Sequence, residues 1–199
     1  KSQKLKVGYK FGLEFLNSKN GRKFVSNLKN KITFGDYKLA DIPKTCVSAI
    51  KAVKDLKLNY ITIHISSGLN TIKAVKKVSG SIKVIGVTIL TSLDNKALKE
   101  IGFDKKVGKL VFHQAKLAAK AKLDAIVCSP HEIKIVKKVF KGEIITPGIR
   151  LSSDKKDDQK RVMTPKQAIK NGADALVIGR SITSGNIKNN IKKIIKELK

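Results

Sequence analysis

An alternation constrains this chain more than any other feature. Short β-branched runs recur along its 199 residues, and longer stretches of helical periodicity separate them. The runs are LKVGY (5–9), KITFGDYK (31–38), YITIHI (60–65), KVIGVTIL (83–90), AIVCS (125–129), EIITPGI (143–149) and ALVIGR (175–180). Amphipathic stretches lie between them: KTCVSAIKAVKDL, NTIKAVKKV, KLVFHQAKLAAKAKL and EIKIVKKVF. A basic helix, SGNIKNNIKKIIKELK, closes the sequence. Near-continuous apolar strands alternating with helices predict a parallel sheet covered by helices.

Two architectures satisfy that pattern, an open doubly wound sheet and a closed (β/α)8 TIM barrel. A dinucleotide-binding sheet calls for GxGxxG after its first strand, and a P-loop calls for GxxxxGK[ST]. Neither is present. Polar or glycine-bearing chemistry instead stands at the C-terminal end of nearly every run: Asp36 and Lys38, His64, Thr91, Ser129, Gly148 and Arg150, Gly179 and Arg180. Barrel enzymes build their sites at that end. The expected fold is therefore a single (β/α) barrel domain over 1–199.

Charge invites a nucleic-acid reading and then argues against it. The formal net charge is +28. Arginine, which reads phosphate forks and base edges, supplies only Arg22, Arg150, Arg161 and Arg180 of the 43 basic residues. The lysines are spread along helical surfaces, Trp is absent, and aromatic residues make up 5%. A solvated face that draws in an anionic substrate fits better than a nucleic-acid partner. No apolar run approaches the ~18 to 20 residues of a membrane span. The N-terminus lacks the apolar core of a secretion signal. Cys46 and Cys128 are isolated in apolar surroundings, with no CxxC and no metal-ligand cluster, which fits reduced thiols in the cytoplasm.

The densest chemistry is GDYKLADIPKT (35–45). Strand residues two apart share a face, so Asp36 and Lys38 should point together into the barrel mouth. Asp41 follows where Ile42-Pro43 redirects the chain. An ammonium beside carboxylates is a positioned proton donor, and the carboxylates favour departure of a nearby anion. A bare DxKxxD fits a structural salt bridge at a strand end as well. A second constellation suits phosphate: TPGIR (146–150) ends one run and VIGR (177–180) ends the next and opens a helix. Gly179 admits an anion to backbone N–H groups, and Arg180 can fork onto its oxygens. Among the histidines, His64 follows a strand, His131 belongs to a helix start and His113 to a helix. None stands in an HxH or HExxH pattern. The long polar stretch LSSDKKDDQKRVMTP (151–165) is expected to be a mobile loop over the site.

With these residues in view, the chain resembles the orotidine 5′-phosphate decarboxylase family over essentially its whole length. KVG (6–8), GDYKLADIPKT (35–45), VTILTS (87–92), VCSPHE (127–132), TPGIR (146–150), DQKR (158–161) and VIGR (177–180) follow in that family's order. The resemblance implies conversion of orotidine 5′-monophosphate to uridine 5′-monophosphate and carbon dioxide, in pyrimidine biosynthesis, with no metal and no organic cofactor. It makes Lys38 the proton donor to the carbon that loses carbon dioxide. Asp36 would lie near the departing carboxylate, in a Lys-Asp-Lys-Asp array with Lys6 and Asp41. Asp41 and Thr45 would reach the site from the partner subunit of a homodimer. Thr91 maps near the pyrimidine. Gln159, Gly179 and Arg180 map to the phosphate grip, and Arg150 to the closing-loop segment.

The alternative shares the barrel and DxKxxD. Metal-dependent sugar-phosphate decarboxylases and hexulose-phosphate synthases look like DxKxxDxG and hold a metal partly through a Glu in the second strand. This sequence offers Lys6 there, and DIPKT after the signature. The resemblance also implies an eighth strand, ahead of KVG and ending in an Asp that binds ribose. KSQK runs straight into LKVGY, so the first strand is expected to be missing from the sequence, with ~20 to 30 residues upstream, the length of one strand and one helix.

Overall fold

The computed structural model describes residues 5–151 and 162–198. Seven strands form one sheet in the order β1 to β7, every neighbouring pair parallel. They are β1 (Gly8–Phe11), β2 (Ile32–Leu39), β3 (Tyr60–His64), β4 (Lys83–Val87), β5 (Ala125–Val127), β6 (Glu143–Thr146) and β7 (Ala175–Leu176). All seven expected runs form strands, and the sheet curls as a partial barrel whose two edges are β1 and β7.

Helices lie along the outside of the curl. α1 (Leu13–Asn17) and α2 (Gly21–Ser26) follow β1, α3 (Pro43–Ala52) follows β2, and α4 (Leu69–Val78) follows β3. α5 (Asn95–Glu100) and α6 (Val107–Lys120) follow β4, and α7 (Ile133–Lys137) follows β5. α8 (Pro165–Asn171) leads into β7, and α9 (Arg180–Thr183) and α10 (Ile187–Leu198) close the chain. Pro43 and Pro165 stand in the first turns of α3 and α8, where a missing N–H costs nothing. Gly172 ends α8 in the left-handed conformation that suits glycine.

Strand alternation divides the apolar residues into two layers. Ile61, Ile63, Val84 and Ile126 face the helices and meet Ile50, Ile72, Val111 and Ala115 in the larger core. Phe34, Ile85, Ala125 and Ile145 face the concave side, with Tyr60, Val127 and Val177 against them. Each fully buried Ile side chain contributes roughly 1.5 to 3 kcal/mol. The inner layer is a floor. The side chains that follow it along β2 and β3 are polar and lie at the C-terminal rim.

The opposite rim is closed by a repeated device. A polar side chain just before a strand accepts the N–H that begins the neighbouring ladder. Asn59 accepts from Thr33 at 2.8 Å, Asp124 from Val84 at 2.8 Å, and Asp174 from Ile144 at 2.8 Å. Asp124 also holds Lys76 of α4.

Candidate active site

β2 carries Phe34 in the inner layer, and Asp36 continues that face. The Asp36 carboxylate is buried and joins three elements. Lys38 Nζ donates to Asp36 Oδ2 at 2.8 Å, and Lys10 Nζ donates to the same oxygen at 2.9 Å. The Thr62 hydroxyl, from β3, donates to Oδ1 at 3.1 Å. Both lysine side chains keep about a third of their surface open, 33% for Lys10 and 34% for Lys38, so each ammonium can meet a ligand. Burial by itself would raise the Asp36 carboxyl. The Lys10 ammonium, and then Lys38, outweigh that and hold it below its ordinary value.

Asp36 and Lys38 do converge, though not through the regular alternation expected of them. Gly35 pairs with Ile61 and Leu39 with Ile63, so β2 spends four steps where β3 spends two. The strand bulges between these pairs. Lys38 sits in the bulge with φ at 48°, a left-handed conformation few non-glycine residues adopt. Its N–H donates to Thr62 Oγ1 at 2.8 Å.

The lysine that meets Asp36 from β1 is Lys10, and Lys6, expected beside it, is not in that contact. β1 begins at Gly8, with Gly8 opposite Ile32 and Phe11 opposite Gly35. That register sets Lys10 beside Asp36 and leaves Lys6 exposed ahead of the first ladder pair. Phe11 explains the placement: it is 9% exposed and stacks on Phe15 and Phe24 outside the sheet, which turns Lys10 to the inside. The run assigned from sequence to 5–9 therefore forms its strand at 8–11.

Asp41 and Thr45 stand apart from this cluster. Asp41 is exposed beyond the end of β2, where its carboxylate caps the Ile42 N–H at 2.7 Å. Thr45 is exposed in the first turn of α3. Thr91 is half-buried in the turn after β4. His64 ends β3 half-buried. Burial first, and the nearby Lys38 charge second, push it below the usual histidine value. His131 lies in a turn just before α7, and His113 within α6.

The anion-suited residues lie beyond β6 and β7. Arg150 is half-buried, and its N–H donates to the Met163 carbonyl at 3.1 Å while Met163 N–H donates to Gly148 at 3.0 Å. This bridge ties the two ends of the 151–165 stretch together. Gly179 and Arg180 are exposed where α9 begins, and a side chain added at Gly179 would enter open space. Gln159, and with it most of the expected loop, lies outside the described residues. Among the described residues, no group of three or more His, Cys, Asp and Glu side chains is placed to hold a metal.

A parallel curled sheet with a Lys–Asp–Lys cluster on its C-terminal rim and glycine-arginine ends on β6 and β7 defines a barrel enzyme for small phosphorylated substrates. The orotidine 5′-phosphate decarboxylase/HUMPS family model matches residues 3–194, and the chain belongs to that family. It is 44% identical over 189 residues to an orotidine 5′-phosphate decarboxylase of Coxiella burnetii, covering 90% of this chain and 78% of that protein. It is 44% identical over 203 residues to the enzyme of that name from Wolbachia pipientis subsp. Culex pipiens, covering 97% and 88%. Among solved structures, orotidine 5′-phosphate decarboxylase from Lactobacillus acidophilus superposes with a TM-score of 0.79 at 30% identity, covering 95% of this chain and 85% of that one. The Methanocaldococcus jannaschii enzyme complexed with the inhibitor BMP superposes at 0.76 with 26% identity, covering 95% and 85%.

Sequence reasoning missed Lys10 and Thr62. The signal for Lys10 was its one-residue offset from Phe11, which packs with Phe15 and Phe24 on the helix side of the sheet. Thr62 had no local signal, because its role depends on the bulge in another strand.

Proposed function

We propose that this chain is an orotidine 5′-phosphate decarboxylase in pyrimidine biosynthesis. The observation that carries the reading is the Lys10–Asp36–Lys38 cluster on the rim of a sheet belonging to this family. Orotidine 5′-monophosphate lies with its ring over the cluster and its phosphate toward Gly179 and Arg180. Asp36 places negative charge near the substrate carboxylate and favours its loss. The bond from C6 to the carboxylate breaks, carbon dioxide leaves, and the electron pair stays on C6. Lys38 Nζ transfers a proton to C6 and recovers one from solvent. Lys10 takes the place expected of Lys6: it holds Asp36 charged and adds positive field as the carbanion develops. Binding of the phosphate, far from C6, supplies energy to orient the ring. Thr91 lies near the pyrimidine, Gln159 joins Gly179 and Arg180 in the phosphate grip, and Arg150 stands at the start of the loop beside it.

The metal-dependent branch of the family needs a carboxylate facing Asp36 from the first strand of this sheet. Lys10 occupies that position. Loss of orotidine 5′-monophosphate absorbance with pure protein tests the reading, and chelator should leave the rate unchanged. Activity lost to chelator and restored by magnesium would move the assignment to the sugar-phosphate enzymes.

The active sites are shared across a homodimer. Asp41 and Thr45 are exposed, and the Asp41 carboxylate caps the Ile42 N–H rather than joining its own subunit's Lys10–Asp36–Lys38 cluster, as suits residues that serve a second subunit. The segments after β2 and β4 also expose Ile42, Leu90, Ile101 and Phe103. Inactive Lys38→Ala and inactive Asp41→Ala subunits, mixed in equal amounts under exchange, should regain about a quarter of wild-type activity, since about half of the dimers are hybrids and one of the two sites in each is intact. No recovery after proven exchange would rule out a shared site. The two cysteines are free and buried, which suits the cytoplasm. No described helix is long and apolar enough to cross a membrane.

A further inference from the structure

The bulge in β2 raises a question that the decarboxylase reading leaves open: what keeps Lys38 in a conformation lysine rarely adopts. Between Gly35 and Leu39 the chain has no ladder partners on β3. An amide there would be buried without an acceptor, which is costly. Thr62 lies on β3 between Ile61 and Ile63, the two residues that keep their ladder pairs. It is fully buried, at 0% exposure. Its hydroxyl accepts the Lys38 N–H at 2.8 Å and donates its own proton to Asp36 Oδ1 at 3.1 Å. One oxygen thus replaces the missing ladder bond and orients the carboxylate.

We infer that Thr62 is a positioning residue for proton transfer: its hydroxyl locks the bulge that aims Lys38 and fixes the carboxylate that Lys38 shares with Lys10. The inference rests on the decarboxylase reading above, with Lys38 as the acid. A hydroxyl on a short side chain meets both demands. A carbonyl cannot donate to Asp36, and a valine offers neither proton nor lone pair. The fixed network holds the donor near its productive geometry before substrate arrives, and such preorganisation raises kcat more than it tightens binding.

Three variants at this position test the idea with orotidine 5′-monophosphate, with Lys38→Ala as the control. Thr62→Val keeps the shape and removes the hydroxyl. It should lower kcat roughly ten- to a hundred-fold, the worth of one or two hydrogen bonds to charged groups, with KM changing far less. Thr62→Ser should recover most of that loss. Thr62→Cys keeps a weak donor and acceptor, should fall between the two, and carries the test if the valine variant does not fold. Amide hydrogen exchange at Lys38 should quicken in the valine or cysteine variant and not in the serine variant. Wild-type kcat in Thr62→Val or Thr62→Cys, a loss confined to KM, or a loss that serine does not recover would each overturn the inference. Lys38→Ala separates the two levels. If it is inactive while the Thr62 variants are fully active, only the positioning role fails. If it turns over like wild type, the proton-donor reading fails and this one with it.

Discussion

The two rims of the sheet use the same residue types for opposite ends. At the N-terminal rim, Asn59, Asp124 and Asp174 each accept the N–H that starts a neighbouring ladder. Their hydrogen bonds complete backbone that would otherwise be unpaired, and Lys76 rests on Asp124 as a strut from α4. At the C-terminal rim, Asp36 accepts from Lys10, Lys38 and Thr62. Here the lysines remain about one-third exposed, and the backbone beneath Lys38 is bulged and left-handed. A carboxylate among donors therefore identifies neither role by itself. What separates them is the backbone: each N-terminal acceptor completes a strand amide, whereas the donors to Asp36 are side chains. Barrel folds commonly divide stability and activity between their two ends in this way.

The sharpest test of that division is Lys38→Ala. Steady-state turnover should fall by at least ~10⁴-fold, the upper range for removing a positioned acid, while the denaturation midpoint stays close to wild type. Turnover within tenfold of wild type would erase the distinction between the rims. Arg180→Ala should act next most strongly, lowering kcat/KM about a hundred-fold with the larger share in KM, because a charge-assisted contact to phosphate is lost. A loss carried wholly by kcat would place Arg180 in the chemistry rather than the grip. Asp124→Ala belongs to the other rim. It leaves the Val84 N–H without its side-chain acceptor and should cost about 2 kcal/mol of stability by urea titration, with kcat unchanged. A large drop in kcat at retained stability would show that the rims are coupled.

The smallest expected effect is on pH dependence. His64 titrates below its ordinary 6.5 in the folded protein, through burial and then Lys38. The unfolded chain therefore binds the proton first as pH falls. Stability from this group is complete above about 6.5 and declines as pH drops toward the folded value. His64→Gln should remove that decline, seen as a flatter stability profile below neutrality. In Lys38→Ala, NMR titration should find His64 shifted upward. An unmoved value would show that burial alone sets it. Asp36 behaves similarly at lower pH: its depressed carboxyl stabilises the fold above about 3.8, and that contribution is lost as pH falls through the folded value.

Much of the fold was legible because its signal is local. The alternation of β-branched runs marks all seven strands, and polar residues at their ends mark the working rim. The 3.6 periodicity marks α3, α4, α6, α7 and α10. The helices α1, α2, α5, α8 and α9 have four to seven residues each and lie in no longer amphipathic run, whereas the five-residue α7 lies within the nine-residue run EIKIVKKVF. Asp36 and Lys38 were legible as a pair two residues apart. Their geometry was not, because a bulge is set by how two strands register against each other. The same holds for Lys6 and Lys10. Both lie on one face of a single basic, β-forming stretch, and the register of β1 against β2 sets which of them reaches Asp36. Asp41, Thr45, Thr91, Arg150, Gly179 and Arg180 all lie at or beyond strand ends, where the sequence set them. What they would meet there, a substrate or another subunit, leaves no local pattern in the sequence.

The order of the sheet has a bearing on how the molecule is made. Every ladder joins strands adjacent in sequence. Among the described residues, no strand near the N-terminus pairs with one from the far end of the chain, and N-terminal parts fold first during synthesis. Lys10, Asp36, Lys38 and Thr62 all belong to the first three strands. Lys38 and Asp36 are thus joined by ladders already translated by His64, while Arg150 and Arg180 still await the ribosome. The lysine–aspartate cluster is the older part of each newborn molecule, and the two arginines beyond β6 and β7 come last.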